Sequence, residues 1–319
     1  MKRKTKRTLL VAAICLFFGA AVFAVAMAMS GWNFYQLETQ KMQTTEYEFN
    51  ESFSAITVNT DTTDLVFLPS QTETCKVVCV ERERAPHVVS VQNQTLTIGA
   101  QDNRKWYEFF HISFRSPKII VYLPQSYFGS LAITQSTGDI SLNEGLRFTT
   151  LTVKASTGNF SCRAAAEELS VSLSTGDITV SDTTAAVANL SVTTGKTEIT
   201  NLACESLSLK ASTGSALLTG VTCTALTAKA TTGDMRLTDV VATRSITLTL
   251  STGDVTFTRC DAEELSVTTT TGSVTGSLRS GKNFVVQTDT GKKKVPQSVA
   301  GGKCEITTTT GSVILEICQ

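Results

Sequence analysis

LSVSLSTGDITVS at residues 169–181 and NLSVTTGKTEIT at residues 189–200 are one unit written twice, with Gly176 and Gly195 placed 19 residues apart. Outward from that pair, a glycine preceded by Ser-Thr, Thr-Thr or Asp-Thr recurs at Gly138, Gly158, Gly214, Gly233, Gly253, Gly272, Gly291 and Gly311, always 18 to 20 residues from the next. Such a fixed period marks a stack of one repeated supersecondary unit. Counted from the glycine, positions seven and five before it are apolar, as in Leu169 and Val171, Leu207 and Leu209, or Leu265 and Val267, with Ser between them. Positions two and four after it are apolar again, as in Ile140 and Leu142, Phe160 and Cys162, or Val255 and Phe257. Alternation with period two, in segments rich in Ser, Thr and Val, predicts strands with one buried face and excludes a helical array of the same period.

Each glycine supplies the backbone freedom for a sharp corner between two such strands, and the flanking Ser, Thr and Asp can hydrogen-bond the amides of the turn. Seven residues past the glycine, Leu202, Val221, Val240, Cys260 and Cys318 share one register. Two residues later, after Arg147 and Glu167 break the column in the first two coils, stand only small side chains: Ala185, Cys204, Cys223, Ala242, Ala262, Gly281 and Ala300. A tight corner accepts small residues and would be strained by Leu or Phe. The expected fold is all-β, a single-stranded parallel β-helix or solenoid of about ten coils, roughly 48 Å long at about 4.8 Å per coil.

Before the array, residues 45–125 are β-rich but irregular. FSAITVNTDTTDLVFLP at 53–69 reads as a degenerate first coil, and KIIVYLP at 118–124 leads into the first full repeat. Between them QDNRKWYEFFHISFRSP at 101–117 concentrates aromatics. IIVYLP followed by LAITQSTGDISL and then by units of the LSVSLSTGDITV type resembles the bacterial putative-adhesin family of β-strand-repeat domains, a domain family of unknown function, over roughly residues 50–319. The resemblance implies an extracytoplasmic β-solenoid, often membrane-attached, linked to surface adhesion or envelope stress, and it carries over no catalytic residue.

The chain has 28 basic and 28 acidic residues, but five of the basic ones lie in MKRKTKR at residues 1–7. The remainder is net acidic, which argues against nucleic acid as a partner. Residues 8–29 carry no charge, and as a helix these 22 residues would span about 33 Å, a bilayer core. With the basic stub retained inside, the body is expected outside the cytoplasm. A cleaved signal peptide is the rival reading, through Ala24-x-Ala26 or Ala26-x-Ala28. Signal-peptide cores run about 7 to 15 residues, so an anchor is preferred, and cleavage would make the body secreted. The division is thus a cytoplasmic stub (1–7), a signal-anchor helix (8–29), a linker (30–44), a cap with degenerate coils (45–125) and the repeats (126–319).

Asp139, Asp177, Asp234 and Asp254 follow their glycines, and the consecutive pair Asp234 and Asp254 is the best candidate for a metal. The ladder is interrupted by Lys196, Ser215 and Ser273, so turn capping is the preferred role and no cofactor is expected. His87 and His111 read as ordinary surface or cap residues, and no cluster of convergent carboxylates marks a glycosidase-like groove. Cys204 and Cys223 share a column in adjacent coils at about 4.8 Å, within disulfide range, although a column of Ala and Gly also suits buried thiols. Cys260 and Cys318 share a column three coils apart, out of reach. Trp106, Tyr107, Phe109, Phe110 and Phe114 are candidates for a binding surface, or for a lid over the first coil. The chain ends directly after its last strand, so the C-terminal coil is expected to offer a free edge for self-association. The function expected is a membrane-anchored, non-catalytic binding or adhesion module whose partner is a cell-wall or host glycan or an envelope protein. The alternative is an envelope-stress sensor acting through a membrane partner, since seven residues inside are too few for an output of their own.

Overall fold

The computed structural model describes residues 3–29, 31–32, 41–100, 116–124, 127–297 and 301–318. One helix, α1 (Arg3–Met29), comes first; over Leu10–Met29 it is long and apolar enough to cross a membrane, a test that a signal sequence also passes. Among the described residues from Met42 onward the regular elements are all strands. Tyr127–Thr137, Arg147–Thr157 and Ala165–Thr175 lie in parallel register, with Leu131, Leu151 and Leu169 in one file and Ile133, Val153 and Val171 in the next. After the corner, Ile140–Leu142, Phe160–Cys162 and the start of Ile178–Thr194 stack in the same way. The ten glycine corners bound a β-solenoid of about nine turns.

Both apolar pairs read from the sequence are buried along the array, apart from the half-buried Phe284 and Val286 of the edge coil, and so, with Ala211 half-buried, is a third file, three residues before each glycine from Gly138 to Gly272, that the spacing argument does not single out. It runs Gln135, Ala155, Leu173, Val192, Ala211, Ala230, Leu250, Thr269. Burying each Leu or Val contributes on the order of 2 kcal/mol, repeated coil after coil, which is how a thin rod accumulates a core. At the corner the coils touch backbone to backbone. A Cβ on Gly158, at φ 131°, would lie 2.0 Å from the carbonyl oxygen of Gly138, so geometry and space both demand glycine.

A second corner follows six residues past the glycine, where Asp182, Asn201, Asp239 and Arg259 adopt φ near 50° and Gly220 adopts 65°. Asp and Asn tolerate this left-handed region better than other side chains, and their recurrence at one offset is the signal in the sequence. Arg259 is held there by ion pairing: Arg259 and Arg279 both bond the carboxylate of Asp239. Where the spacing lengthens to 20 residues, between Gly233 and Gly253, the register shifts between Ala242 and Ser245, a bulge that absorbs the extra residue.

Both ends of the rod double back. At the N-terminal end, β1 (Met42–Phe49) is followed by the first coil, β2 (Ala55–Thr62) and β3 (Asp64–Pro69). Next come β4 (Cys75–Arg82), β5 (His87–Gln92), β6 (Thr95–Ala100) and β7 (Lys118–Leu123). The first coil is the inner one: β2 pairs with β6 on one side and Tyr127–Thr137 on the other, and β3 pairs with β7 and Ile140–Leu142. Outside that level β5 joins β6, β4 joins β7 and β1 joins β4, all antiparallel. The cap is thus a reversed layer laid over the first coil, and its strands begin at Met42, slightly before the expected boundary.

At the C-terminal end the order expected from the sequence is exchanged. Gly302–Thr310 pairs on one side with residues 264–271 and on the other with Lys282–Thr290. The last repeat therefore slides beneath the one before it. Among the described residues the longer free edge belongs to Lys282–Thr290, while in the C-terminal coil Val313–Ile317 pairs fully with Val274–Leu278 and on its other side only at Val313 and Ile314, with Lys293–Lys294, so that an open edge is left there only over Leu315–Ile317. The buried Lys282 fastens this terminal coil, its Nζ donating to Asp261 Oδ1 and Ala262 O at 2.6 Å and to Ser280 Oγ at 2.7 Å. The exchange also brings Cys260 and Cys318 to two levels apart rather than three, Leu278 lying between them, still out of bonding range at about 9.6 Å.

Candidate recognition site

The aspartate ladder acts between coils. Asp139 Oδ1 accepts from the backbone N–H of Asn159 at 2.8 Å, Asn159 Oδ1 from Asp177 N at 2.9 Å, and Asp177 Oδ1 from Lys196 N at 2.7 Å. The same step links Asp234 to Asp254 at 3.1 Å and Asp254 to Ser273 at 2.7 Å. Each side chain thus caps the corner amide of the next coil, an amide that the parallel ladder leaves over. Among the described residues no group of three or more His, Cys, Asp or Glu is placed to hold a metal ion.

The cysteines are all free thiols among the described residues. Cys204 and Cys223 meet as expected, and a hydrogen bond between their sulfurs, before burial, pushes the Cys204 thiol up while holding that of Cys223 down. Cys75, Cys79, Cys162 and Cys304 are buried singly, and burial raises each to about 12, which makes them inert small hydrophobes.

His87 takes the second of the two placements open to it from the sequence, a residue of the cap, where it is 5 % exposed. Its Nδ1 lies 2.9 Å from Glu81 Oε2, which also accepts from the His87 N–H at 2.6 Å, and its Nε2 lies 3.2 Å from Thr63 Oγ1. Thr45 Oγ1 donates to Glu81 Oε1 at 2.8 Å. A hydroxyl, an imidazole and a carboxylate in line have the order of a nucleophile, a base and its orienter. Thr63, however, is 1 % exposed, and here the chain of bonds ties β1, β4 and β5 to the first corner. His111 and the aromatic run Trp106, Tyr107, Phe109, Phe110 and Phe114 lie outside the described residues.

A concave surface is found instead on the outer face of the cap sheet. On β4 and β7 the inward side chains are Cys75, Val77 and Cys79, and Ile119, Val121 and Leu123. Alternation would make the opposite face polar, yet it carries Val78, Ile120 and Tyr122, each half-buried. These three floor a cavity of about 490 Å³. One wall is the loop after β3, where Ser70 Oγ, Thr72 Oγ1 and Thr74 Oγ1 form a hydroxyl chain with steps of 2.9 and 3.0 Å. The other wall is Glu46 and Glu48 of β1 with Lys76 of β4, whose Nζ lies 2.8 Å from Glu46 Oε2. That bond holds the Lys76 ammonium above its usual range. The sequence signal for this site was the lack of alternation in KIIVYL, which a reading centred on the repeats takes only as a lead-in strand.

A family model described as Toastrack DUF4097 matches residues 53–220 and 215–317. No curated protein matches the chain. Similar solved structures include a putative adhesin from Parabacteroides distasonis, 12% identical over 85% of this chain and 98% of that one, with a TM-score of 0.49. A putative lipid binding protein from the same organism is 16% identical over 73% and 96%, with a TM-score of 0.46. A putative adhesin from Parabacteroides merdae is 13% identical over 88% and 98%, with a TM-score of 0.43.

Proposed function

The chain belongs to the Toastrack DUF4097 family, and from that premise and the architecture above we propose that it is a membrane-anchored, non-catalytic recognition module that presents its solenoid outside the cytoplasm. The observation that carries the reading is the groove on the cap. An outward apolar floor on an otherwise alternating sheet, walled by hydroxyls and charges, is what a binding site requires and a structural cap does not. In this reading α1 is retained as the anchor, and the acidic body faces the envelope or a neighbouring surface. Adhesion follows if the groove's ligand sits on another surface, and envelope sensing if it sits on the same cell.

The test is binding of the full chain in detergent to isolated cell-wall polymers, host-surface glycans and envelope-active peptides, with Tyr122→Ala beside the wild type. Saturable binding that the variant loses is the expected result. Equal binding by both, or none by either, removes the groove from the function. A second contact surface is the edge strand Lys282–Thr290, with Val285 41 % exposed, which offers unpaired backbone groups to another copy of the chain. Light scattering over a hundredfold dilution should then show a mass that falls, and Val285→Lys should fix it at one copy.

A further inference from the structure

We infer that the cap groove takes a neutral or amino pyranose, the terminal one or two rings of a glycan; this rests on the recognition reading above. The floor is the first argument. Tyr122 and Ile120 stand side by side on one strand facing outward, so the floor is flat and apolar but not enclosed. An acyl chain needs apolar walls all round to leave water, whereas a pyranose has one apolar C–H face, which a tyrosine ring covers, and a rim of hydroxyls that stays wet.

The walls supply partners for that rim. In the chain from Ser70 through Thr72 to Thr74, three hydroxyls share two internal bonds, and the Thr72 N–H adds a third to Ser70 Oγ. One O–H proton and several lone pairs are left facing the cavity. Opposite them the carboxylates of Glu46 and Glu48 are acceptors for vicinal sugar hydroxyls, and Lys76, pinned to Glu46, is a fixed donor.

The charge decides among sugars. Two carboxylates face one ammonium, so the site is net negative and repels phosphate, sulfate, uronate and sialate groups, while an amino sugar gains from it. The volume of about 490 Å³ lies within the range of about 300 to 1,000 Å³ usual for small-ligand sites and suits two rings.

The experiment is calorimetric titration of the full chain in detergent with chitobiose, lactose and a chitosan disaccharide, with a sulfated disaccharide, an acidic peptide and anionic phospholipid vesicles as comparisons. Saturable binding of at least one neutral or amino disaccharide is expected, weakened about tenfold or more by Tyr122→Ala. Thr72→Val, which keeps shape and deletes one hydroxyl, should weaken it several-fold while leaving the melting curve unchanged, so that loss of binding is separated from loss of folding. Groove-dependent binding of only the peptide or the vesicles overturns the saccharide assignment and leaves the recognition reading standing. Binding of nothing in the panel overturns both, and saccharide binding that both variants retain overturns the placement in this groove.

Discussion

The exchanged order of the last two repeats makes a prediction that the sequence order would reverse. A Cβ on Gly311 would lie 2.0 Å from Gly272 O and 2.5 Å from its carbonyl carbon, whereas a Cβ on Gly291 would lie 2.1 Å from Gly311 O. The backbone angles, 153° and 152°, are the same, so the strain of placing alanine there, about 1 to 3 kcal/mol, is common to both. What differs is how the clash can be relieved. Restoring an ordinary contact requires about 1.2 Å of movement, a quarter of the roughly 4.8 Å coil spacing. The coil of Gly311 is paired on both sides, through Gly272 N to Thr310 O at 2.8 Å and Gly311 N to Thr290 O at 2.9 Å. Opening it sacrifices one or two backbone bonds at about 1 kcal/mol each, besides packing. The coil of Gly291 lies at the end and can tilt outward. Gly311→Ala should therefore cost about 4 kcal/mol and Gly291→Ala about 2 kcal/mol, melting shifts of roughly 8 to 16 °C and 4 to 8 °C. Thermal melts followed by far-UV circular dichroism measure both, with Gly99→Ala as control, since a Cβ there meets nothing within 4 Å. If Gly291→Ala proves the costlier of the two, the repeats stack in sequence order and the exchange described above is wrong.

Three further outcomes follow from the same geometry. Asp254→Ala removes the cap on the Ser273 amide and should cost about 1 kcal/mol in a urea titration, with Asp254→Asn close to wild type because Asn159 already performs that role. Gln135 places an amide whose oxygen and nitrogen both lack a partner among the described residues in an otherwise largely apolar file. Gln135→Leu should therefore raise stability by about 1 to 3 kcal/mol, and a lower midpoint would show that the amide is needed. At Asp261 burial opposes ionisation, but the Lys282 ammonium and the Ser280 hydroxyl outweigh it and hold the carboxyl below the usual carboxylate range. A depressed carboxylate contributes stability above its unfolded value and loses it as pH falls through the folded one. Hydrogen exchange in residues 282–290 should accordingly accelerate on acidification below about pH 4, and Lys282→Met should abolish that pH dependence.

The coil was legible because its constraints are local and repeated. The alternation of Leu169 with Val171 and the glycine at 176 each state a rule that holds ten times, so chance departures at single positions, such as Thr197 or Gly276, do not obscure it. The order of coils at the ends was not legible, because pairing of Gly302–Thr310 with residues 264–271 or with 282–290 buries the same kinds of side chain. Near-identical repeats encode the surface of contact but only weakly the identity of the neighbour. The burial of His87 was not legible for a related reason: it depends on Glu81 and Thr63, which reach it only through the antiparallel cap. The groove was half legible, in the unbroken apolar run of KIIVYL, but its hydroxyl wall comes from a loop some fifty residues earlier that no periodicity brings to it.

The same device at both ends of the rod bears on where recognition resides. A solenoid must hide the unpaired edges of its end coils, and folding a neighbouring segment back over them does so without a separate domain. At the N-terminal end the fold-back reverses strand direction, so β1, β4 and β7 form an antiparallel layer whose outer face is released from the repeat and free to carry Tyr122, Lys76 and the Ser70 loop. At the C-terminal end the fold-back stays parallel, and among the described residues the edge strand Lys282–Thr290 keeps the solenoid pattern and an open edge, with no new surface laid over it. Within the array every outward position is tied to the coil period, and a mostly Ser and Thr face, varied at single positions such as Lys154, Glu198 and Arg236, recurs from coil to coil without a concavity of its own shape. Specific chemistry needs a break in the repeat, and among the described residues the cap is where the break is deepest.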